Sequence, residues 1–71
     1  MQSEVMEVTV NGEPKHVAPG ASIASLLDAL NVPQDRVAVE LNKSIVRKRD
    51  WERTTIAHGS QIEIVEFVGG G

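Results

Sequence analysis

The first part of the chain alternates apolar and polar residues, and this alternation predicts a β-hairpin. Residues 5–10 read VMEVTV, and a period of two is typical of a strand with one buried face. Asn11-Gly12 follows, and both residues tolerate a positive φ, which makes the pair a strong signal for a tight hairpin turn. We expect a short return strand at residues 15–18, which Pro19-Gly20 ends.

The apolar spacing then changes to that of a helix. Ser22 is a suitable N-cap. An apolar stripe at positions i, i+3, i+4 and i+7 follows, formed by Ile23, Leu26, Leu27 and Leu30. Asn31 suits the C-terminal cap, and Pro33 prevents the helix from continuing. Because no other element can cover this stripe, we expect the helix to pack across a sheet.

The second half of the chain predicts three further strands, at residues 37–41, 45–46 and 61–68. A charged, irregular stretch, 47–55, precedes the last strand, and we expect Trp51 to anchor it. The order β-β-α-β-β-β describes a ubiquitin-like β-grasp fold, an α+β domain with a mixed sheet of four or five strands and one helix. The prediction is a single domain over residues 1–71, with a folded core at 5–68 and a flexible glycine tail at 69–71.

The last predicted strand leads directly into Gly69, Gly70 and Gly71. Glycine has no Cβ and adopts backbone angles closed to other residues, so such a segment can enter a channel too narrow for other side chains. The reactive group there is the terminal carboxylate of Gly71. This arrangement predicts chemistry on the carboxylate, carried out by an enzyme that receives the tail. The alternative is a frayed end without function.

The same strand places apolar residues on both of its faces. Ile62 and Ile64 share one face, whereas Val65 and Phe67 point to the other. If the helix covers the isoleucines, Val65 and Phe67 are exposed beside the tail, and a large apolar residue on a solvent face is informative. We interpret Val65 and Phe67 as a docking surface for a partner. The alternatives are that a loop covers Phe67 or that strand twist brings it into the core.

Composition excludes several classes of function. The chain has 71 residues, a formal net charge of -3, no cysteine, two histidines and two aromatic residues. An acidic chain with few aromatic residues is not typical of nucleic-acid binding, and no run approaches the roughly 20 apolar residues of a membrane span. Without a cluster of ligands we expect no metal site. No set of nucleophile, base and oxyanion donors is recognisable, so we expect a cytoplasmic protein that is not an enzyme.

One short stretch is basic although the whole chain is acidic. Its cations are Lys43, Arg47, Lys48, Arg49 and Arg53. They form either an electrostatic contact with a partner or a solvated loop that Asp50 and Glu52 partly neutralise, and the solvated loop is the favoured interpretation.

Two segments together resemble a known family. Residues 38–51, AVELNKSIVRKRDW, resemble the Asn-x-x-Ile-Val-Pro-(Arg/Lys)-x-x-Trp stretch of ThiS, the sulfur carrier of thiamin biosynthesis. Residues 61–71, QIEIVEFVGGG, resemble the final strand and Gly-Gly end of that family. The resemblance covers about Val8 to Gly71. Arg47 departs from it, since the family often has proline there.

The resemblance implies a function as a protein co-substrate without a bound cofactor. An adenylyltransferase of the ubiquitin-activating type, using ATP and Mg²⁺, would adenylate the carboxylate of Gly71. Sulfur from a donor such as a cysteine desulfurase would then produce a thiocarboxylate, which delivers sulfur to thiazole synthase. In this scheme Gly69 and Gly70 enter the partner's channel, while Val65 and Phe67 dock.

Three alternatives remain at this stage. The sulfur-carrying small subunit of molybdopterin synthase shares the fold and the Gly-Gly end. A ubiquitin-like modifier joined to lysines through Gly71 starts from the same adenylate. A plain interaction domain with an inert tail belongs to a different class, and removal of Gly70-Gly71 should leave its function intact.

Overall fold

The computed structural model describes residues 5–67, so the tail predicted at 69–71 lies outside the described part of the chain. The elements are β1 (Met6–Val10), β2 (Glu13–Val17), α1 (Ile23–Ala29), β3 (Val37–Leu41), β4 (Ser44–Val46), a short 3-10 helix (Lys48–Asp50) and β5 (Gln61–Glu66). The strands form one sheet in the order β2-β1-β5-β3-β4. The pair β1 and β5 is parallel and the other neighbours are antiparallel. This mixed five-stranded sheet with one α-helix confirms the predicted α+β β-grasp fold.

The first hairpin turns where its sequence predicts. Asn11 and Gly12 have φ values of 52° and 84°, the positive angles that a two-residue turn of this hand requires. The predicted return strand at 15–18 was wrong in its bounds, because this turn brings Glu13 directly opposite Val10. Pro14 is compatible with the strand because β2 lies at the edge of the sheet, where a proline costs no hydrogen bond of the ladder.

Both ends of the helix are fixed by hydrogen bonds of the kind its sequence predicts. The Ser25 N–H donates to Ser22 Oγ at 3.1 Å, and the Ser22 N–H donates to Ser25 Oγ at 2.9 Å, a reciprocal capping arrangement. At the other end Asn31 has a φ of 58°. The Val32 N–H donates to the Leu27 carbonyl at 2.9 Å, which satisfies a carbonyl that the helix leaves without a partner.

The core lies between α1 and one face of the sheet. Its buried residues are Val8, Val10, Ile23, Leu26, Leu27, Val37, Val39, Trp51, Ile56 and Ile62. Trp51 is only 2% exposed, and its Nε1–H donates to the Val46 carbonyl at 2.9 Å. The prediction that Trp51 anchors the charged stretch is therefore confirmed, and the 3-10 helix inside that stretch was not predicted.

Candidate partner-docking face

The central strand β5 divides its apolar residues between the two faces of the sheet. Ile62 is 1% exposed, and Ile64 packs partly buried against the core below α1. Val65 and Phe67 are 58% and 55% exposed. The structure thus places both residues in solvent, on the face that the helix leaves uncovered, which we call the outer face. Their role in docking stays a prediction.

Strand pairing adds residues to the outer face beside Val65. Ala38 lies opposite Val65, and Glu40 lies opposite Glu63. On the next strand Ile45 lies opposite Glu40, and its side chain is 72% exposed. Residues directly opposite each other point to the same face of a sheet.

We call the apolar residues of this face the outer patch: Ala38, Ile45, Val65 and Phe67. Sequence reasoning missed Ile45, because β4 has only three residues and shows too little alternation to assign a face. No local pattern in the sequence assigns this face. In the structure Val46 packs partly buried against the core, and successive residues of a strand point to opposite faces.

The side chain of Asn11 hydrogen-bonds to β5 just beyond the end of β1. The two strands pair only at Thr9–Gln61 and Val10–Ile62. The next position of β5 is held by a side chain, since Asn11 Oδ1 accepts from the Ile64 N–H at 2.7 Å and Asn11 Nδ2 donates to the Ile64 carbonyl at 3.2 Å. Asn11, predicted as a turn residue, therefore also substitutes for a missing pair of the ladder.

Asn42 acts in the same way at the start of β5. Its backbone N–H donates to the Gln61 carbonyl at 2.7 Å, and its Oδ1 accepts from the Gln61 N–H at 2.8 Å. The φ of Asn42 is 52°, an angle that asparagine tolerates better than most residues. At the other end the Phe67 N–H donates to the Arg36 carbonyl at 2.7 Å. The backbone is therefore fixed from Gln61 to Phe67.

His58 and the residues of the basic stretch make contacts within the fold or lie at its surface. His58 lies in a turn, as predicted, and its Nδ1 accepts from the Glu7 N–H at 3.1 Å. In the basic stretch Arg53 Nε lies 3.3 Å from Asp50 Oδ1. Lys48 and Arg49 are exposed and line an open cleft of about 430 Å³.

Residues 5–67 contain neither a cluster of metal ligands nor a membrane-spanning helix. This part of the chain contains no group of three or more acidic, histidine or cysteine side chains that could hold a metal ion. It also contains no helix with the length and apolar character needed to cross a membrane.

Comparison with known proteins identifies the family. The family model described as the ThiS family matches residues 8–71. The chain belongs to the ThiS family. This membership confirms the resemblance seen in residues 38–51 and 61–71.

Two relatives of this ThiS-family chain match it over nearly their whole length. The crystal structure of the thiamine biosynthesis protein ThiS from Geobacter metallireducens is 39% identical, with a TM-score of 0.81, and the match covers 93% of this chain and 100% of that one. The sulfur carrier protein ThiS of Escherichia coli is 27% identical over 66 residues, which are 93% of this chain and 100% of the relative.

A third relative is much longer. A thiazole synthase from Magnetococcus marinus is 36% identical over 66 residues, which are 93% of this chain but 20% of the synthase. The chain therefore spans about a fifth of the length of this relative, and the same holds for a thiazole synthase from Paramagnetospirillum magneticum.

Proposed function

We propose that this ThiS-family chain is a sulfur carrier of thiamin biosynthesis, and that the carboxylate of Gly71 carries the sulfur. The observation that carries the proposal is that the family match runs through Gly71. The three glycines are thus part of the matched segment. The E. coli relative named as a sulfur carrier supports the same function.

The first step of the proposed chemistry activates the carboxylate. An oxygen of the Gly71 carboxylate attacks the α-phosphorus of ATP, and pyrophosphate leaves. A partner adenylyltransferase of the ubiquitin-activating type supplies the ATP and Mg²⁺ site. The step is needed because a free carboxylate has no adequate leaving group, whereas an acyl-adenylate divides one difficult substitution into two easier ones.

The second step introduces sulfur. When inorganic sulfide is the donor, it attacks the acyl carbon, the new C–S bond forms, and AMP leaves with the electron pair of the broken C–O bond. When a cysteine desulfurase supplies the sulfur as a persulfide, its terminal sulfur attacks in the same way, and a thiol then reduces the resulting acyl disulfide. The product is a C-terminal thiocarboxylate, whose sulfur is a better nucleophile than a carboxylate oxygen. We propose thiazole synthase as the acceptor, and the similarity to two thiazole synthases supports this choice.

We propose that the folded part of the chain docks onto the partner and that the residues after Phe67 carry the reacting carboxylate. The backbone is hydrogen-bonded as far as Phe67, and four residues, Val68 to Gly71, follow it. Four extended residues reach at most about 14 Å, so the adenylation site must lie within that distance of the surface that receives Phe67. Since ordering glycines costs more backbone entropy than ordering other residues, Val65 and Phe67 would supply the affinity.

The test is the intact mass of the chain after incubation with a ThiS adenylyltransferase, ATP, Mg²⁺ and inorganic sulfide. We expect a gain equal to one exchange of oxygen for sulfur. The matched control is a variant that lacks Gly70 and Gly71, which should show no gain.

An enzyme that thiolates E. coli ThiS under the same conditions but leaves this chain unchanged would overturn the proposal. Covalent adducts with lysine-containing proteins, seen as a shift on a denaturing gel, would instead favour the ubiquitin-like modifier.

A further inference from the structure

Two glutamate residues are paired across neighbouring strands of the outer face. Glu40 of β3 and Glu63 of β5 are direct partners in the antiparallel register, so their Cβ atoms lie roughly 4.5–5.5 Å apart. Like charges at such positions destabilise a sheet. Within residues 5–67 the ion pairs are His16–Glu7 and Arg53–Asp50, and neither relieves this repulsion.

Apolar side chains of the outer patch border the two carboxylates. Ile45 lies opposite Glu40 on the neighbouring strand, and Val65 follows Glu63 on the same face after one intervening residue. A partner that covers Ile45 and Val65 must therefore also remove water from Glu40 and Glu63. Removing water from an unpaired charge is costly, so the surface requires a cation from whatever covers it.

Two simple occupants do not meet this requirement. The described residues hold no group of three acidic, histidine or cysteine side chains that could bind a metal ion. A cation on two carboxylates alone would keep most of its water ligands, so it would not allow an apolar surface to cover the outer patch. A second copy of the chain, related by a two-fold axis through this face, would present the same patch to itself. Such a dimer would bring four carboxylates together without a cation, and like-charge contacts suppress wrong partners.

The remaining occupant is a different protein that presents a basic side chain within an apolar surround. We propose that Glu40 and Glu63 together bind one arginine on the docking surface of the adenylating enzyme. A guanidinium suits two adjacent carboxylates, because its planar fork donates several hydrogen bonds and loses water more readily than an ammonium group. This inference rests on the proposed function, in which the outer face docks onto that enzyme.

The proposal gives the carboxylate pair opposite effects in the free and bound states. In the free chain, neutralising both residues removes a repulsion, so the melting temperature should stay the same or rise by about 1–3 °C. In the complex, it leaves the buried arginine unpaired and weakens binding. A residue that only stabilised the fold would lower both quantities together.

The experiment compares two double variants with the same change in charge. The test variant is Glu40→Gln with Glu63→Gln, and the control is Glu13→Gln with Glu52→Gln, both exposed positions outside the outer patch. Calorimetric titration with the adenylyltransferase should show a Kd roughly tenfold or more higher for the test variant. The control should change the Kd less than about twofold at physiological salt, where distant surface charges are screened.

A third variant, Phe67→Ala, separates the possible failures. If Phe67→Ala weakens binding while the glutamine pair does not, the arginine proposal is overturned and docking through the outer face stands. If neither changes the Kd, docking through this face is overturned as well. The mass assay at saturating enzyme then decides independently whether Gly71 is thiolated. A test variant that self-associates in sedimentation with an unchanged Kd would mean that the carboxylates only prevent dimerisation, which also overturns the proposal.

Discussion

The two faces of β5 both carry apolar residues, but these residues differ greatly in exposure. Ile62 points towards α1 and is 1% exposed, whereas Phe67, on the opposite face, is 55% exposed. The difference lies in what covers each face, since the single helix of the described fold can cover only one side of the sheet. Apolar area on the inner face contributes to folding. Apolar area on the outer face stays exposed in the described fold, and we propose that it serves association with a partner.

The largest expected effect comes from truncating the inner face. Ile62→Ala removes a buried side chain and leaves a cavity, which should lower the free energy of unfolding by about 2–5 kcal/mol. Val65→Ala, on the outer face of the same strand, should cost less than about 1 kcal/mol. Urea denaturation of both variants measures the difference, and equal losses would show that the two faces are not distinct in stability.

A substitution at Trp51 would show whether this core residue also holds β4, the strand that carries Ile45, in place. Trp51→Phe keeps an aromatic ring in the core but removes the donor to the Val46 carbonyl. Leaving that carbonyl without its partner should cost about 1–3 kcal/mol. Because Ile45 precedes Val46, amide hydrogen exchange in β4 should also increase. A loss of stability with unchanged exchange in β4 would limit Trp51 to core packing.

The sequence predicts most of this fold because its signals are local. A period of two, Asn-Gly, Ser22 and the helical stripe each act over a few residues, and each places its element correctly. The start of β2 was predicted too late because Pro14 is a strand breaker except at an edge, and edge position depends on the whole sheet. Asn11 was only partly understood for the same reason, since its contact with Ile64 joins residues distant in sequence. Ile45 was missed because the three residues of β4 show too little alternation to assign a face.

Asn11 contributes to stability in two ways, through its positive φ in the turn and through its side-chain hydrogen bonds to Ile64. Asn11→Gly keeps the positive φ but removes the side-chain hydrogen bonds to Ile64, which should cost about 1 kcal/mol. Asn11→Ala should cost about 1–2 kcal/mol more, because alanine is strained at this angle. Hydrogen exchange at the Ile64 amide should rise in both variants. Equal stability of the two variants would contradict the contribution of the turn angle.

Phe67→Ala should change stability least, and it should distinguish most clearly between an effect on folding and an effect on docking. The side chain is more than half exposed, so the free energy of unfolding should fall by less than about 0.5 kcal/mol. If the outer patch docks onto the adenylyltransferase, the same change should raise the Kd by roughly tenfold or more, since a buried aromatic anchor is a typical hot spot. Lys15→Ala, on the edge strand β2 and away from the patch, is the control for both measurements. Equal losses of stability and affinity would place Phe67 in the core in solution and end the distinction between a folding face and a docking face.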